Sequence, residues 1–121
     1  MSCDVAKFTI TKNLDNTFVF TIKADGSTLP MEIVEASDTF TASLIDLGTG
    51  VTSVTKALSV DNALGGKVSL VITAAETATL TGDKGSKTDR YYLRPAYKLV
   101  IDCVTTNNGS FLAKVPEVYV D

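Results

Sequence analysis

The chain of 121 residues contains no His, so no Ser-His-Asp, Cys-His or His-ligated zinc arrangement can be assembled from it. Its two cysteines are Cys3 and Cys103. With no imidazole to stabilise a thiolate, neither reads as a nucleophile. An even count permits one disulfide. Two reduced thiols are expected instead, Cys103 buried as a small hydrophobe, because Met1–Lys7 lacks the apolar run of a secretory signal and the chain is expected to be made in a reducing cytoplasm. Asp25, Asp61, Asp83 and Asp89 fall in expected turns. Asp61-Asn62 and Asp83-Lys84-Gly85 offer oxygens to a cation, but EF-hand spacing is missing and turn aspartates ordinarily bond local backbone. Gly65-Gly66-Lys67 lacks the upstream Gly and downstream Ser or Thr of a phosphate loop. Two carboxylates hydrolysing a glycoside need a cleft that holds them about 5–9 Å apart, and the sequence indicates none. No catalytic residue, cofactor-binding residue or metal ligand is expected, and the chain reads as a non-enzyme.

One cluster has the composition of a contact surface. Arg90-Tyr91-Tyr92-Leu93-Arg94 joins aromatic rings to cations, and period-two geometry puts Arg90, Tyr92 and Arg94 on one outward face. An exposed strand with ordinary cross-strand pairs is the plainer account of the same residues. The closing segment Val115–Val120 is apolar and branched, interrupted only by Pro116. As a terminal sheet edge with few blunting devices, it is expected to lie against a neighbouring chain through Val115, Val118, Tyr119 and Val120. The loops around Gly48 and Gly85 are the next candidates.

The elements that position these residues are strands. Thr, Val and Ile supply 17, 13 and 6 residues, and their branched β-carbons fit a pleated sheet. Apolar and polar residues alternate through Lys7–Thr11, Thr17–Lys23, Thr39–Ile45 and Lys67–Thr73. In the run from Tyr91 to Thr105 the odd positions from Tyr91 to Cys103 form the core face, and Pro95 should split that run. Phe18, Phe20, Phe40, Leu70, Ile72, Leu99 and Ile101 are the expected core. Turns are expected at Asp25-Gly26-Ser27, Gly48-Thr49-Gly50, Leu64-Gly65-Gly66 and Asn107-Asn108-Gly109, with Val51–Val60 as one segment between two of them. At the last turn a three-residue loop with left-handed Gly109 pairs Thr105 with Phe111, Cys103 with Ala113 and Ile101 with Val115. A two-residue loop would set Lys114 opposite Cys103 on the core face. Thr73-Ala74-Ala75-Glu76 has the form of a capping box opening one or two helical turns over Ala74–Thr79. Gly82–Asp89 reads as a polar, mobile loop.

These elements make one domain over residues 1–121. The fold class is all-β: an antiparallel immunoglobulin-like β-sandwich of about seven to eight strands with one short connecting helix, a small barrel being the competing closure. Strands do not alternate with helices, so no parallel pairing is expected. Net charge is −3, with nine Lys and two Arg against 14 acids, which disfavours nucleic acid as a partner. No stretch approaches the roughly 20 apolar residues that span a bilayer, so no membrane partner is expected.

In order, Thr17–Met31 with its Asp25-Gly26 and Pro30, Phe40–Leu44, Gly66–Thr77, the Tyr91, Tyr92 and Tyr97 strand, and Val115–Val120 resemble the immunoglobulin-like domains of phage virion proteins, in particular the N-terminal domain of baseplate upper proteins. The resemblance covers most of the chain and implies an all-β module without catalytic residues. In baseplate proteins such a module leads into a fibre or receptor-binding part, whereas this chain ends at Asp121. The expectation is a bacteriophage structural protein made in the host cytoplasm and located in the virion. It would decorate or connect capsid, neck, tail or baseplate in many copies, with other virion proteins as partners. A carbohydrate-binding or adhesin module is the alternative, weakened by the absence of Trp to stack on sugar rings.

Overall fold

Alternating sequences build two sheets whose apolar faces meet. The computed structural model describes residues 2–3, 7–23, 29–80, 83–84 and 93–120. Its strands are β1 (Ser2–Cys3), β2 (Lys7–Ile10), β3 (Asn16–Lys23), β4 (Thr39–Asp46), β5 (Thr52–Ala57), β6 (Ser59–Asn62), β7 (Lys67–Ile72), β8 (Asp83–Lys84), β9 (Leu93–Arg94), β10 (Tyr97–Thr105) and β11 (Gly109–Val120). The one described helix, α1 (Ala74–Ala78), joins β7 to β8. One sheet has the order β1-β3-β7-β6 and the other β2-β11-β10-β4-β5, with β8 and β9 forming a separate short ladder. The fold is an all-β sandwich.

Its core lies between the sheets. Phe20, Ile22, Val68, Leu70 and Ile72 face Phe40, Leu44, Leu99, Ile101, Cys103 and Val115, all buried. Six of the seven expected core residues are among them. Phe18 is the exception and is only half-buried. Its ring stacks on Phe8 at 4.1 Å, and Phe8 is itself half-buried on the four-residue β2.

Both long sides of the sandwich are closed by chain that changes sheets. On one side, β1 pairs with β3 and the following β2 pairs with β11. On the other, β5 pairs with β4, and two residues later β6 pairs with β7. Leu58 marks that corner: its amide donates to the Phe40 carbonyl at 2.8 Å, and its side chain packs on the core. The expected single segment Val51–Val60 is therefore two strands, one in each sheet. Strands that switch sheets are a recognised way of making corners between packed sheets.

Four expectations need correction. First, β2 runs parallel to β11, with Lys7 opposite Glu117 and Ile10 opposite Val120. The two strands lie at opposite ends of the chain, so no helical crossover between them had to appear in the sequence. Second, the β10–β11 register is displaced by two residues. Thr105 faces Gly109, Cys103 faces Phe111 and Ile101 faces Ala113. The loop has three residues, but they are Thr106, Asn107 and Asn108 rather than Asn107, Asn108 and Gly109, and the left-handed Gly109 (φ 68°) opens β11. The Thr105 hydroxyl decides the register: it donates to the Gly109 carbonyl at 2.8 Å and accepts from the Asn108 amide at 3.1 Å. Third, Asp61 lies in β6 and Asp83 in β8 rather than in turns, so the expected loop Gly82–Asp89 carries a short strand. Asp25 and Asp89 lie outside the described residues.

Fourth, Val115–Val120 is not a bare terminal edge. β11 is flanked by β10 and, over Glu117–Val120, by β2. Tyr97 faces Val118 and Leu99 faces Val115, so β11 carries one extra residue between those pairs. Pro116, which has no amide to donate, falls inside this bulge. The extra residue reverses the alternation: odd positions (Ala113, Val115) are buried before it and even positions (Val118, Val120) after it.

Other local readings hold. Pro95 separates β9 from β10. Thr73 caps α1 with a complete capping box, its side chain accepting from the Glu76 amide while Glu76 accepts from the Thr73 amide.

Candidate interaction surfaces

The residues expected to make contacts fall into four groups. Arg90 and Tyr92 lie outside the described residues. Arg94 is on β9, with its backbone opposite Asp83 of β8. Val115, Val118 and Val120 are buried in the chain's own core. Tyr119 is half-buried and opposite Thr9 of β2, between two inward-facing valines. The valines thus hold the sandwich together and present nothing outward. An apolar terminal strand reads the same way whether another chain or its own second sheet covers it, which is why composition pointed to the wrong neighbour.

The two ends of the sandwich carry its polar networks. At one end, the segment before β4 is tied to the β10–β11 turn by Asp38, a buried carboxylate. One oxygen accepts from the Val34 amide at 2.9 Å, and the other accepts from the Thr106 amide at 2.8 Å. Ser37 and Thr106 hydroxyls meet at 2.6 Å. Burial would raise the pKa of Asp38, but the donated hydrogen bonds outweigh it, and the carboxyl is held below its ordinary value. The β6–β7 turn docks at the same end. Ile33 donates to Ala63 at 2.9 Å, Ile22 donates to Gly66 at 2.8 Å, and Met31 donates to Ile22 at 2.9 Å. Gly66 is left-handed at φ +66°, and a Cβ there would sit 2.6 Å from the Met31 carbonyl oxygen. Only Gly permits so close an approach.

At the other end, α1 gathers the loop between β2 and β3. Asp15 accepts from the Ala74 amide at 2.7 Å, and the buried Thr77 hydroxyl accepts from Asn13 at 3.0 Å. Glu76 accepts from the Thr73 amide at 3.0 Å and from Lys56 Nζ at 2.9 Å. Those contacts, the Thr73 amide first, lower its pKa. The Asp46 carboxylate closes the turn around Gly48 by accepting from the amides of Gly48 and Thr49. These carboxylates accept from backbone amides, and Glu76 also from Lys56, and serve as structural ties. No group of three or more potential metal ligands occurs among the described residues. None of their helices is long and apolar enough to cross a membrane.

What composition could not reveal is the edge formed by β5. It becomes an edge only because the chain leaves the sheet at Leu58, a corner set by a single backbone bond to Phe40. The chain matches no known protein-family model, and a search of curated proteins finds no relative.

Proposed function

We propose that the chain is a non-enzymatic structural module of a bacteriophage virion, an immunoglobulin-like sandwich that decorates or connects capsid, neck, tail or baseplate in many copies. The strand order supports the immunoglobulin-like part of this reading. With β1 and β2 as A and A′, β3 as B, β4 as C, β5 as C′, β6 as D, β7 as E, β10 as F and β11 as G, the sheets become A-B-E-D and A′-G-F-C-C′. This labelling parallels the immunoglobulin division into ABED and GFC sheets with C′ beside C, and so supports the immunoglobulin-like reading. The sequence resemblance to phage virion domains supplies the biological setting, and carboxylates engaged as backbone ties at both ends suit a scaffold.

The partners in this reading are other virion proteins, and synthesis takes place in the host cytoplasm. The test is mass spectrometry of particles purified from the phage or prophage that encodes the chain. The expected result is its presence in many copies per particle. Particles that lack it would overturn the reading, and selective binding on a glycan array would transfer it to the carbohydrate-binding class.

A further inference from the structure

The chain has five asparagines, Asn13, Asn16, Asn62, Asn107 and Asn108. Asparagine is thermolabile because the backbone nitrogen that follows it can attack its carboxamide carbon. Two things govern that attack in a folded chain: what the next residue places beside the nitrogen, and what holds the carboxamide. Leu14, Thr17, Ala63 and Asn108 follow the first four asparagines, each with a Cβ next to the attacking nitrogen. Gly109, which has none, follows Asn108. A Cβ built on Gly109 would meet nothing within 4 Å beyond its chain neighbours, so that side of the nitrogen is open.

The carboxamides differ as well. That of Asn16 is tied at both atoms: it accepts from the Thr11 amide at 3.0 Å and donates to the carbonyls of Thr11 and Leu14 at 2.8 Å each. That of Asn62 accepts from the Gly65 amide at 2.9 Å. Asn108 is exposed, and its Nδ2 reaches the Met31 thioether, a weak acceptor, at 4.0 Å. The restraint on this site lies in the backbone. Gly109 opens β11 opposite Thr105, whose hydroxyl accepts from the Asn108 amide at 3.1 Å and donates to the Gly109 carbonyl at 2.8 Å. One hydroxyl thus holds both reacting residues, and attack requires the turn end of the ladder to open. Such local openings cost far less than global unfolding.

We propose that Asn108 is a self-modification site, deamidated through attack by the backbone nitrogen of Gly109 at a rate set by how often the Thr105 hydroxyl releases the turn. The nitrogen gives its proton to solvent base and bonds to Cγ of Asn108. The Cγ–Nδ2 bond breaks, and Nδ2 takes a proton from solvent and leaves as ammonia. Water then opens the five-membered imide at one of its two carbonyls, leaving isoaspartate or aspartate. One water is consumed and one ammonia released, with no oxidant or reductant. The product puts a carboxylate in the turn whose Thr106 amide donates to Asp38 at 2.8 Å. Like charge then opposes Asp38, and isoaspartate also lengthens the backbone between the two groups that Thr105 holds. Conversion therefore loosens the tie between this turn and the segment before β4.

This inference does not rest on a virion role. The purified chain is held folded in mildly alkaline buffer and followed by anion exchange and by peptide mapping with isoaspartate detection. Asn108 should convert ahead of the other four asparagines, giving a species one unit more acidic than the formal −3. Asn108→Ser should not form it. Thr105→Val, folded by circular dichroism, should convert roughly two- to tenfold faster than wild type, the scale of losing one hydrogen-bonded restraint. Thr105→Ser, which keeps the hydroxyl, should convert at the wild-type rate. In denaturant all three Thr105 forms should convert equally. A folded chain that keeps Asn108 as an amide after the denatured chain has converted would overturn the proposal, as would conversion of another asparagine first. Folded Thr105→Val converting no faster than wild type would overturn the role of the hydroxyl.

Discussion

A carboxylate ties each end of the sandwich, Asp38 at one and Glu76 at the other, and the two work differently. Asp38 is buried and takes two backbone amides, from Val34 and from Thr106, 68 positions away in the chain. Glu76 has a side chain 30% exposed and shares itself between its own helix cap and Lys56 on the edge strand. Two backbone donors in fixed places hold a charge without ordering long side chains, and the carboxylate is buried. An ion pair to Lys56 orders two flexible side chains and is screened by salt. The Asp38 end should therefore be the stiffer and the more sensitive to substitution.

The largest effect is expected at that end but beside Asp38. Gly66→Ala combines a left-handed backbone with a Cβ 2.6 Å from the Met31 carbonyl oxygen and 2.9 Å from that of Ile22. Neither carbonyl can retreat without breaking the bonds that join the β6–β7 turn to β3 and to the segment before β4. A loss of about 2–3 kcal/mol is expected in chemical denaturation, the scale of a strained backbone residue. A loss below about 0.5 kcal/mol would mean that the turn is free to shift and the end is not rigid.

Asp38→Asn comes next. An amide offers one carbonyl oxygen in place of two acceptors, so either Val34 or Thr106 keeps a buried, unmatched N–H. A cost of about 1.5–3 kcal/mol is expected, because the lost bond was to a charged acceptor. The pH dependence follows from the sign of the shift. The folded pKa of Asp38 is depressed, so its contribution is fully present above the unfolded value near 3.8 and disappears as pH falls through the folded value. The stability gap between wild type and Asp38→Asn should be flat at neutral pH and narrow below about pH 4. A gap that widens in acid would reverse the assigned direction.

Nothing local in the sequence announced Asp38, and the reason is instructive. Alternation identified Phe20, Phe40, Leu70 and Ile101 as core because each strand carries its own period, and the Thr73–Glu76 cap was visible because its partners are three residues apart. Asp38 is defined by a partner on a distant turn. The β10–β11 register was ambiguous for a different reason. A slip of two residues leaves every side chain on the same face, so burial cannot distinguish the pairings, and one hydroxyl on Thr105 does. The bulge at Pro116–Glu117 was hidden again otherwise. Apolar residues on both sides of it look like an uninterrupted branched strand unless the change of phase is counted. The same segment's burial removed Val115, Val118 and Val120 from the contact surface, whereas β5, unremarkable in composition, gained its open edge from topology alone.

At the opposite end, Thr73→Ala removes the hydroxyl that accepts from the Glu76 amide and leaves the helix opening uncapped on that side. About 1 kcal/mol is expected, the usual value of an N-cap side chain. Because the bond is short-range and to backbone, the loss should be the same in low and high salt. An equal loss at both ends of the sandwich, Thr73→Ala matching Asp38→Asn, would remove the distinction between a buried and a half-exposed tie.

The smallest effect belongs to Lys56→Met, which keeps most of the aliphatic stem and deletes the ammonium. Glu76 remains bonded to the Thr73 amide, so its carboxylate is not stranded. Both partners are about one-third exposed, at 29% and 30%, which limits the Coulomb gain and leaves it open to screening. A loss below about 1 kcal/mol is expected at low ionic strength, shrinking towards zero near 1 M salt, where the screening length is only about 3 Å. The depressed pKa of Glu76 should rise only part of the way towards its ordinary value near 4.5, since the Thr73 amide is the larger cause of the shift. Titration of the Glu76 carboxyl by NMR in the variant measures this directly. A complete return to the ordinary value would make Lys56, and not the helix cap, the tie that holds this end.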